Sequence, residues 1–384
     1  MRDIIYLDSA ATSYPKPEGV LAETNRCMRE YCGNSGRGSH KLAVASAEKI
    51  YECRASLGRM LGASPENVIF TQNTTYALNM AILGTLRSGD HAIISNLEHN
   101  STMRPVYNSY IRHGVTYSVF DAFTDGECDT ERVLSSIKKL TRKNTRALIC
   151  THTSNICSIT LPVREIGEYC KNHGIIFILD GAQGVGHSKI NMKDMNIDIL
   201  CLPSHKGLYG PQGCGAMLLS DGILPREMIF GGSGVNSLLP NMPDEPPEKY
   251  EAGTLPTPAI AGLCEGIKFV QNLGEERIFN HEKRLWQYAY DGLSSIKKVK
   301  IYAPRHSGSI LLFNILGMKS ETVGDALSER GICVRCGYHC APLAHATLDT
   351  HRDGCGGAVR VSLGVFNSKS DIDALIDAVG EIIQ

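Results

Sequence analysis

From residue 67 to residue 219 the chain repeats one pattern: an apolar run of strand length, then an amphipathic stretch. The strand-like runs are 67–71, 91–95, 116–120, 146–151, 175–180, 197–202 and 216–219. Helical patterns at 75–86, 101–112, 130–140 and 163–172 fill several of the gaps. Strands that are apolar throughout suit a sheet covered on both faces, and an interposed helix lets the next strand return parallel. The pattern predicts an α/β fold: a mainly parallel, seven-stranded sheet sandwiched by helices.

The flanks are organised differently. The stretch 231–258 is rich in Gly, Pro and Asn and predicts a long ordered loop, of a kind that serves function or an interface. A helix at 258–273 leads to a second unit: helix 276–294, strands 299–302 and 309–314, helix 320–330, short strand 332–335, strand 358–363 and helix 369–383. An N-cap signal at residues 368–373 opens the last helix. A chain of 384 residues accommodates one large and one smaller domain.

Charge and cysteine usage narrow the setting. The 39 basic and 40 acidic residues leave no excess charge to hold nucleic acid or an acidic membrane. The apolar run near residue 1 is too short for a signal peptide, and no stretch reaches membrane-helix length, so a cytoplasmic protein is expected. Fourteen cysteines in such a compartment read mostly as small buried hydrophobes. The exception is the cluster Cys333, Cys336, Cys340 and Cys355.

In sheets of this type ligands bind at the carboxyl ends of the strands. Asp180 ends one run, and Lys206 follows another within Ser204-His205-Lys206-Gly207. A lysine able to link to the cofactor and an acid able to keep its ring nitrogen protonated are the pair that pyridoxal phosphate (PLP) needs. A lone lysine after a strand is ordinarily a solvated charge; the flanking Ser, His and Gly and the upstream Asp argue for the cofactor. Asn73-Thr74-Thr75 joins a strand to a helix, where it either caps the helix or binds a phosphate. Beside Lys206, phosphate binding by Thr74 or Thr75 is expected, with Ser204 and His205 closing the other side. His99 either stacks on a pyridine ring or starts a helix in water. Gln183 and Asn155 are amides for the ring oxygen or the substrate, or else for backbone groups.

Together these segments resemble class V aminotransferase-fold PLP enzymes, and within them cysteine desulfurases and selenocysteine lyases. The resemblance covers nearly the whole chain. It runs from Tyr6-Leu7-Asp8-Ser9-Ala10-Ala11-Thr12 through Arg37-Gly38-Ser39-His40, Asn73-Thr74-Thr75, Glu98-His99, Thr153-Ser154-Asn155 and Asp180-Gly181-Ala182-Gln183. It continues through Ser204-His205-Lys206 and Glu251-Ala252-Gly253-Thr254 to Arg335-Cys336-Gly337-Tyr338-His339-Cys340-Ala341 and Arg360-Val361-Ser362-Leu363. It implies the fold type I architecture of PLP-dependent transferases. Residues 15–257 would form a large PLP-binding domain, and 1–14 with 258–384 a smaller α+β domain carrying a catalytic cysteine loop.

The resemblance also implies roles. Lys206 would hold the cofactor and shuttle protons, His99 would stack on the ring, Asp180 would pair with its nitrogen and Gln183 would meet its phenolic oxygen. Thr75 and His205 would bind phosphate, joined by Thr254 from the other subunit of a homodimer. Arg360 would grip the substrate carboxylate, with Asn155 and Ala11 beside it, and Cys340 would accept sulfur. Pro203 and Gly207 depart from the family pattern around the lysine, which bears on Ser204. The gap from Cys340 to Arg360 is intermediate between the shorter and longer loops of the main desulfurase groups.

A physical case for Cys340 stands beside the resemblance. A thiol that leaves with a sulfur atom must be reachable, mobile and partly ionised; Gly337 permits movement, and Arg335 or His339 favours the thiolate. The spacing Cys333-x2-Cys336-x3-Cys340, with His339 and Cys355, also resembles a structural zinc site. A further reading makes Cys333 and Cys336 core residues, and Cys333 suits it better. The implied activity is removal of sulfur from L-cysteine, leaving alanine, with the sulfur passing through a Cys340 persulfide to an acceptor protein or small reductant. The alternatives are a selenocysteine lyase, a transaminase or other class V lyase, and a metal- or sulfur-binding module on an inactive scaffold.

Overall fold

The computed structural model describes residues 4–36, 38–123, 128–302 and 308–383; Arg37 of the Arg37–His40 motif lies outside the described residues. The strands are β1 (Ile5–Tyr6), β2 (Val68–Thr71), β3 (His91–Ser95), β4 (Thr116–Phe120), β5 (Thr145–Thr151), β6 (Ile176–Asp180), β7 (Ile199–Pro203) and β8 (Gly215–Leu219), then β9 (Val299–Ile301), β10 (Ile310–Ile315), β11 (Ile332–Cys333), β12 (Arg335–Gly337) and β13 (Ala358–Ser362). The helices are α1 (Glu18–Glu30), α2 (Lys41–Leu61), α3 (Thr74–Thr85), α4 (Asn100–His113), α5 (Thr130–Leu140), α6 (Val163–His173), α7 (Thr257–Leu273), α8 (Glu275–Ser294), α9 (Ser320–Glu329), α10 (Pro342–Thr347) and α11 (Lys369–Ile383).

Seven strands form the main sheet in the order β2-β8-β7-β6-β5-β3-β4. The pairs from β7 to β4 are parallel, and β8 runs antiparallel between β2 and β7. Successive side chains explain why the strands read as unbroken apolar runs. Phe70, Ile93, Leu148, Phe177 and Leu200 join one core, while Ile69, Ile94, Ile149, Ile178 and Cys201 join the other. Away from the edge strand β4, neither face meets water, so neither needs polar residues. Leu57 of α2, Ile137 of α5 and Ile166 of α6 cover the first face; Leu78 of α3 and Val106 of α4 cover the second.

The C-terminal unit holds a four-stranded antiparallel sheet in the order β12-β13-β10-β9. The single strand expected at 332–335 is two strands, broken at Val334. Its first half pairs in parallel with β1 and its second half with β13. Strand β1 therefore joins the N-terminus to the C-terminal unit, and Asp8 extends the join by bridging to Ser362. The short helix α10 was not anticipated. At α11 the Ser368 N–H donates to the Asp371 carboxylate at 2.9 Å, a cap at the expected place.

Residues 231–256 contain no helix or strand among the described residues. Glu251 fastens this loop to the sheet: it accepts from the Phe70 N–H at 2.6 Å and pairs with buried Arg54 at 2.5 Å. No helix among the described residues is long and apolar enough to cross a membrane.

Candidate active site

The carboxyl ends of β2, β3, β5, β6 and β7 surround a cleft of roughly 670 Å³ that opens to solvent. Ala11, Thr74, Thr75, His99, Asn155, Asp180, Gln183, His205 and Lys206 all line it. Residues separated by almost 200 positions meet there because parallel strands place their following turns along one edge.

One wall is the start of α3. Asn73 caps that helix, its side chain accepting from the Tyr76 N–H at 3.0 Å. This leaves the next two threonines in the first turn, where free N–H groups favour an anion. Thr75 Oγ1 lies 2.8 Å from Ser101 Oγ, whereas Thr74 Oγ1 is buried with no partner. His99 caps α4 in turn: Ser101 N–H donates to its Nδ1 at 3.0 Å. That bond puts the ring hydrogen on Nε2 and holds the imidazole plane. Burial, with Lys206, Arg335, Arg360 and Arg104 adding to it, lowers the His99 pKa to about 4, so the ring is neutral.

The opposite wall carries the charged pair. Asp180 ends β6, is buried, and accepts from the Ala182 N–H at 2.9 Å. Burial pushes its pKa up, while the Ala182 bond and Lys206 oppose the shift. Burial lowers the Lys206 amine to about 8; Asp180 resists this, and Arg360 and Arg335 add to it. The peptide before Lys206 is held unusually firmly. The His205 carbonyl accepts from Ser13 N at 2.9 Å and from Thr12 Oγ1, Ser13 Oγ and Lys16 Nζ at 3.1 Å each. Gly207 has a steric reason: a Cβ there would stand 2.2 Å from the Val185 carbonyl oxygen and 2.7 Å from the His187 ring. Gln183 donates to the Ala10 carbonyl at 2.9 Å and keeps a second amide hydrogen.

The donor set suits a phosphorylated pyridine aldehyde. Thr74 Oγ1 and His205 Nδ1 are buried polar atoms with no protein partner, and both lie beside the helix start where a phosphate would sit. Such orphans are costly unless a ligand satisfies them. Asp180 offers an acceptor for a ring N–H, Lys206 an amine, and His99 a flat face.

Four of the residues singled out by sequence do not line the cleft. Ser204 is buried with its hydroxyl turned against Gly210, where a Cβ would approach it to 2.1 Å. Thr254 lies in a separate cavity with Glu251 and Arg54. Arg360, on β13, is 2 % exposed and already engaged: Nη2 pairs with Asp8 Oδ1 at 2.7 Å and Nη1 donates to the Asn155 carbonyl at 2.9 Å. Its Nε alone is buried without a partner. Cys340 is exposed, in a loop whose residues His339 and Cys340 both have positive φ, 49° and 53°. Its carbonyl accepts from the Asn100 N–H at 2.7 Å, which places the cysteine beside the residue that follows His99.

The other cysteines of the cluster diverge. Cys355 is buried near the carbonyls of Ile315 and Asp353, and the Cys336 sulfur lies against Gly324. Among the described residues no group of three or more His, Cys, Asp or Glu could hold a metal ion.

Glu98 carries no sequence signal beyond its place next to His99. It is wholly buried; Oε1 accepts from Thr151 N at 2.9 Å and from Ser95 Oγ, and Oε2 has no partner. Burial, aided by Asp180, raises its pKa from 4.5 to about 8. A raised carboxyl favours folding in its protonated form, so that contribution is present below pH 4.5 and is lost as pH climbs to about 8. Glu98→Gln keeps an acceptor for Thr151 and Ser95 but cannot ionise. It is expected to stabilise the apo chain increasingly from pH 5 to 8, by ~3 kcal/mol near pH 7. Thermal unfolding of both proteins across that range checks the trend; a gain independent of pH would contradict it.

Comparison with known proteins follows the same lines. The family model for aminotransferase class-V matches residues 5–375. A probable cysteine desulfurase of Methanothermobacter thermautotrophicus is 33% identical over 389 residues, covering 100% of this chain and 95% of the relative. A cysteine desulfurase of Serratia proteamaculans is 29% identical, with 99% of this chain and 93% of the relative covered. Among solved structures, the apo cysteine desulfurase of Thermococcus onnurineus superposes with a TM-score of 0.89 at 28% identity, covering 99% of this chain and 94% of that one. The Escherichia coli cysteine desulfurase CsdA, at 24% identity and a TM-score of 0.87, shares the fold over 99% of this chain and 94% of its own.

Proposed function

The chain belongs to the class-V aminotransferase family, within which its relatives are cysteine desulfurases, and we propose that it converts L-cysteine to L-alanine with pyridoxal phosphate as cofactor and Cys340 as sulfur acceptor. The observation that carries this reading is the pairing of two features at one cleft. A half-buried lysine with a depressed pKa lines the cleft with a buried aspartate, and an exposed thiol is tethered one residue from the histidine that lines the same cleft.

When bound, the cofactor supplies a carbonyl carbon that takes up amines and a protonated ring that accepts an electron pair. The chain's residues do the rest. Thr74, Thr75 and His205 hold the phosphate, and His99 and Asp180 hold the ring face and ring nitrogen. Arg360 meets the substrate carboxylate, through Nε or by releasing Asp8. Lys206 Nζ takes the substrate α-proton and returns it as alanine forms. The Cys340 thiolate attacks the substrate sulfur; a sulfur–sulfur bond forms as the substrate carbon–sulfur bond breaks, and that pair of electrons stays on the departing carbon. The sum is cysteine plus enzyme thiol giving alanine plus enzyme persulfide, and the outer sulfur then passes to an acceptor protein or small thiol reductant.

Two further parts of the reading concern assembly and location. A homodimer is supported by the loop around residue 238, which exposes Val235, Leu238 and Leu239, with Leu238 at 99 %. In that dimer Thr254 would complete the partner's phosphate site. Fourteen free cysteines, most of them buried, support a reducing cytoplasm.

Brief exposure of the PLP-loaded protein to L-cysteine, followed by peptide mass spectrometry, tests the proposal. One added sulfur atom is expected on Cys340. Alanine production with no sulfur on Cys340 would exclude the proposed acceptor.

A further inference from the structure

The loop that carries Cys340 is fastened from two sides. Toward the cleft, Asn155 Nδ2 donates to the His339 carbonyl at 3.0 Å and Asn100 N–H to the Cys340 carbonyl at 2.7 Å. Away from the cleft, the His339 ring enters a buried chain of polar groups. His339 Nε2 lies 3.2 Å from the Arg335 carbonyl oxygen, and its Nδ1 lies 3.0 Å from His345 Nε2. His345 Nδ1 in turn lies 2.8 Å from Thr350 Oγ1. His345, on α10, and Thr350 are completely buried, and neither lines the cleft.

The partners dictate where the hydrogens sit. A carbonyl only accepts, so His339 Nε2 carries a hydrogen and, in a neutral ring, its Nδ1 is a bare lone pair. His345 must then present N–H from Nε2, which leaves its own Nδ1 bare for the Thr350 hydroxyl to fill. Burial disfavours a further proton on either ring, and so do Arg360 and Arg335 at His339 and His351 and Arg360 at His345. The other neutral tautomer of His345 would set two lone pairs against each other at 3.0 Å. One arrangement of hydrogens therefore satisfies the whole chain.

What the chain holds is a backbone that would otherwise relax. His339 and Cys340 are consecutive non-glycine residues in the left-handed region, a conformation that surrounding structure must enforce. We propose that His345, with its tautomer set through His339 by the Arg335 carbonyl and its Nδ1 satisfied by the Thr350 hydroxyl, is a positioning residue for Cys340: its Nε2–H locks the His339 ring and so keeps the thiol presented to the substrate sulfur. The proposal rests on the reading of Cys340 as nucleophile.

Three substitutions in the PLP-loaded enzyme separate positioning from packing. His345→Phe keeps a ring without a donor, His345→Gln restores an amide N–H near the same place, and Thr350→Val keeps shape without the hydroxyl. The measurements are the single-turnover rate of persulfide formation on Cys340, kcat and KM for cysteine, and the rate of Cys340 alkylation by iodoacetamide without substrate. His345→Phe is expected to slow persulfide formation about tenfold, the scale of one lost buried hydrogen bond, with KM unchanged and the alkylation rate altered. His345→Gln should recover to within about threefold of wild type, and Thr350→Val should fall between the two. A wild-type rate in His345→Phe, or a Gln variant no better than Phe, would overturn the proposal. If the Phe variant does not fold, a wild-type persulfide rate in Thr350→Val overturns it. Cys340→Ala is measured alongside: undiminished sulfide release there would sink the nucleophile reading itself, and the positioning role with it.

Discussion

Lys206→Ala is expected to abolish alanine formation from cysteine, with a loss of at least about 10⁴-fold, because the proposed mechanism uses one amine as both attachment point and proton carrier. The position of its pKa is what makes the amine effective. At pH 7 an amine with a pKa of about 8 is neutral in roughly a tenth of molecules, whereas an ordinary lysine near 10.4 is neutral in well under a thousandth. Only the neutral amine attacks a carbonyl or accepts a proton. Attachment of the cofactor to the apo protein should therefore accelerate as pH rises toward 8 and level off above it. Asp180 and Arg360 pull this pKa in opposite directions, so Asp180→Asn should shift the same profile to lower pH. Stopped-flow absorbance of cofactor uptake at a series of pH values checks the profile, and product analysis over hours checks the variant. Residual turnover in Lys206→Ala within a hundredfold of wild type would remove Lys206 from the centre of the site.

Cys340→Ala is expected to cut sulfide and alanine production from cysteine by about three orders of magnitude, the scale of deleting a nucleophile. Cofactor binding should be untouched, since Cys340 lies outside the cleft lining and its exposed side chain contributes little to stability. That separation is the useful part of the experiment. A variant with full cofactor absorbance and normal unfolding temperature, yet no sulfide release, isolates the thiol's chemistry from the fold. Normal release would mean that another group, or none, accepts the sulfur.

The sheet was legible because both its faces are covered. Each apolar run from 67–71 to 216–219 corresponds to a strand, with boundaries within two residues, and the four helical patterns correspond to α3–α6. The C-terminal strand at 332–335 was less legible because its break at Val334 depends on β1, more than 300 residues away. Local sequence carries no trace of such a partner. At the site, the two plain capping readings hold and leave room for the chemical ones. Asn73 caps α3 and Thr74 Oγ1 has no partner, and His99 caps α4 through Nδ1, which leaves its ring face outside that bond. The polar groups that sequence reading passed over share one property. Glu98, His345 and Thr350 are fully buried, and their meaning lies in partners that only folding supplies. The Asp8–Arg360 pair is of the same kind: both residues belong to recognisable motifs, but their contact joins opposite ends of the chain.

The N-terminal segment touches both halves of the proposed chemistry. Residues 12–16 grip the carbonyl before Lys206, while Asp8 pairs with Arg360 and β1 lies against β11, one short strand before the Cys340 loop. The segment thus works as a tie-rod between the amine proposed to activate the substrate and the thiol proposed to take its sulfur. A sequence change near residue 10 is therefore expected to detune sulfur transfer without altering any group proposed to react.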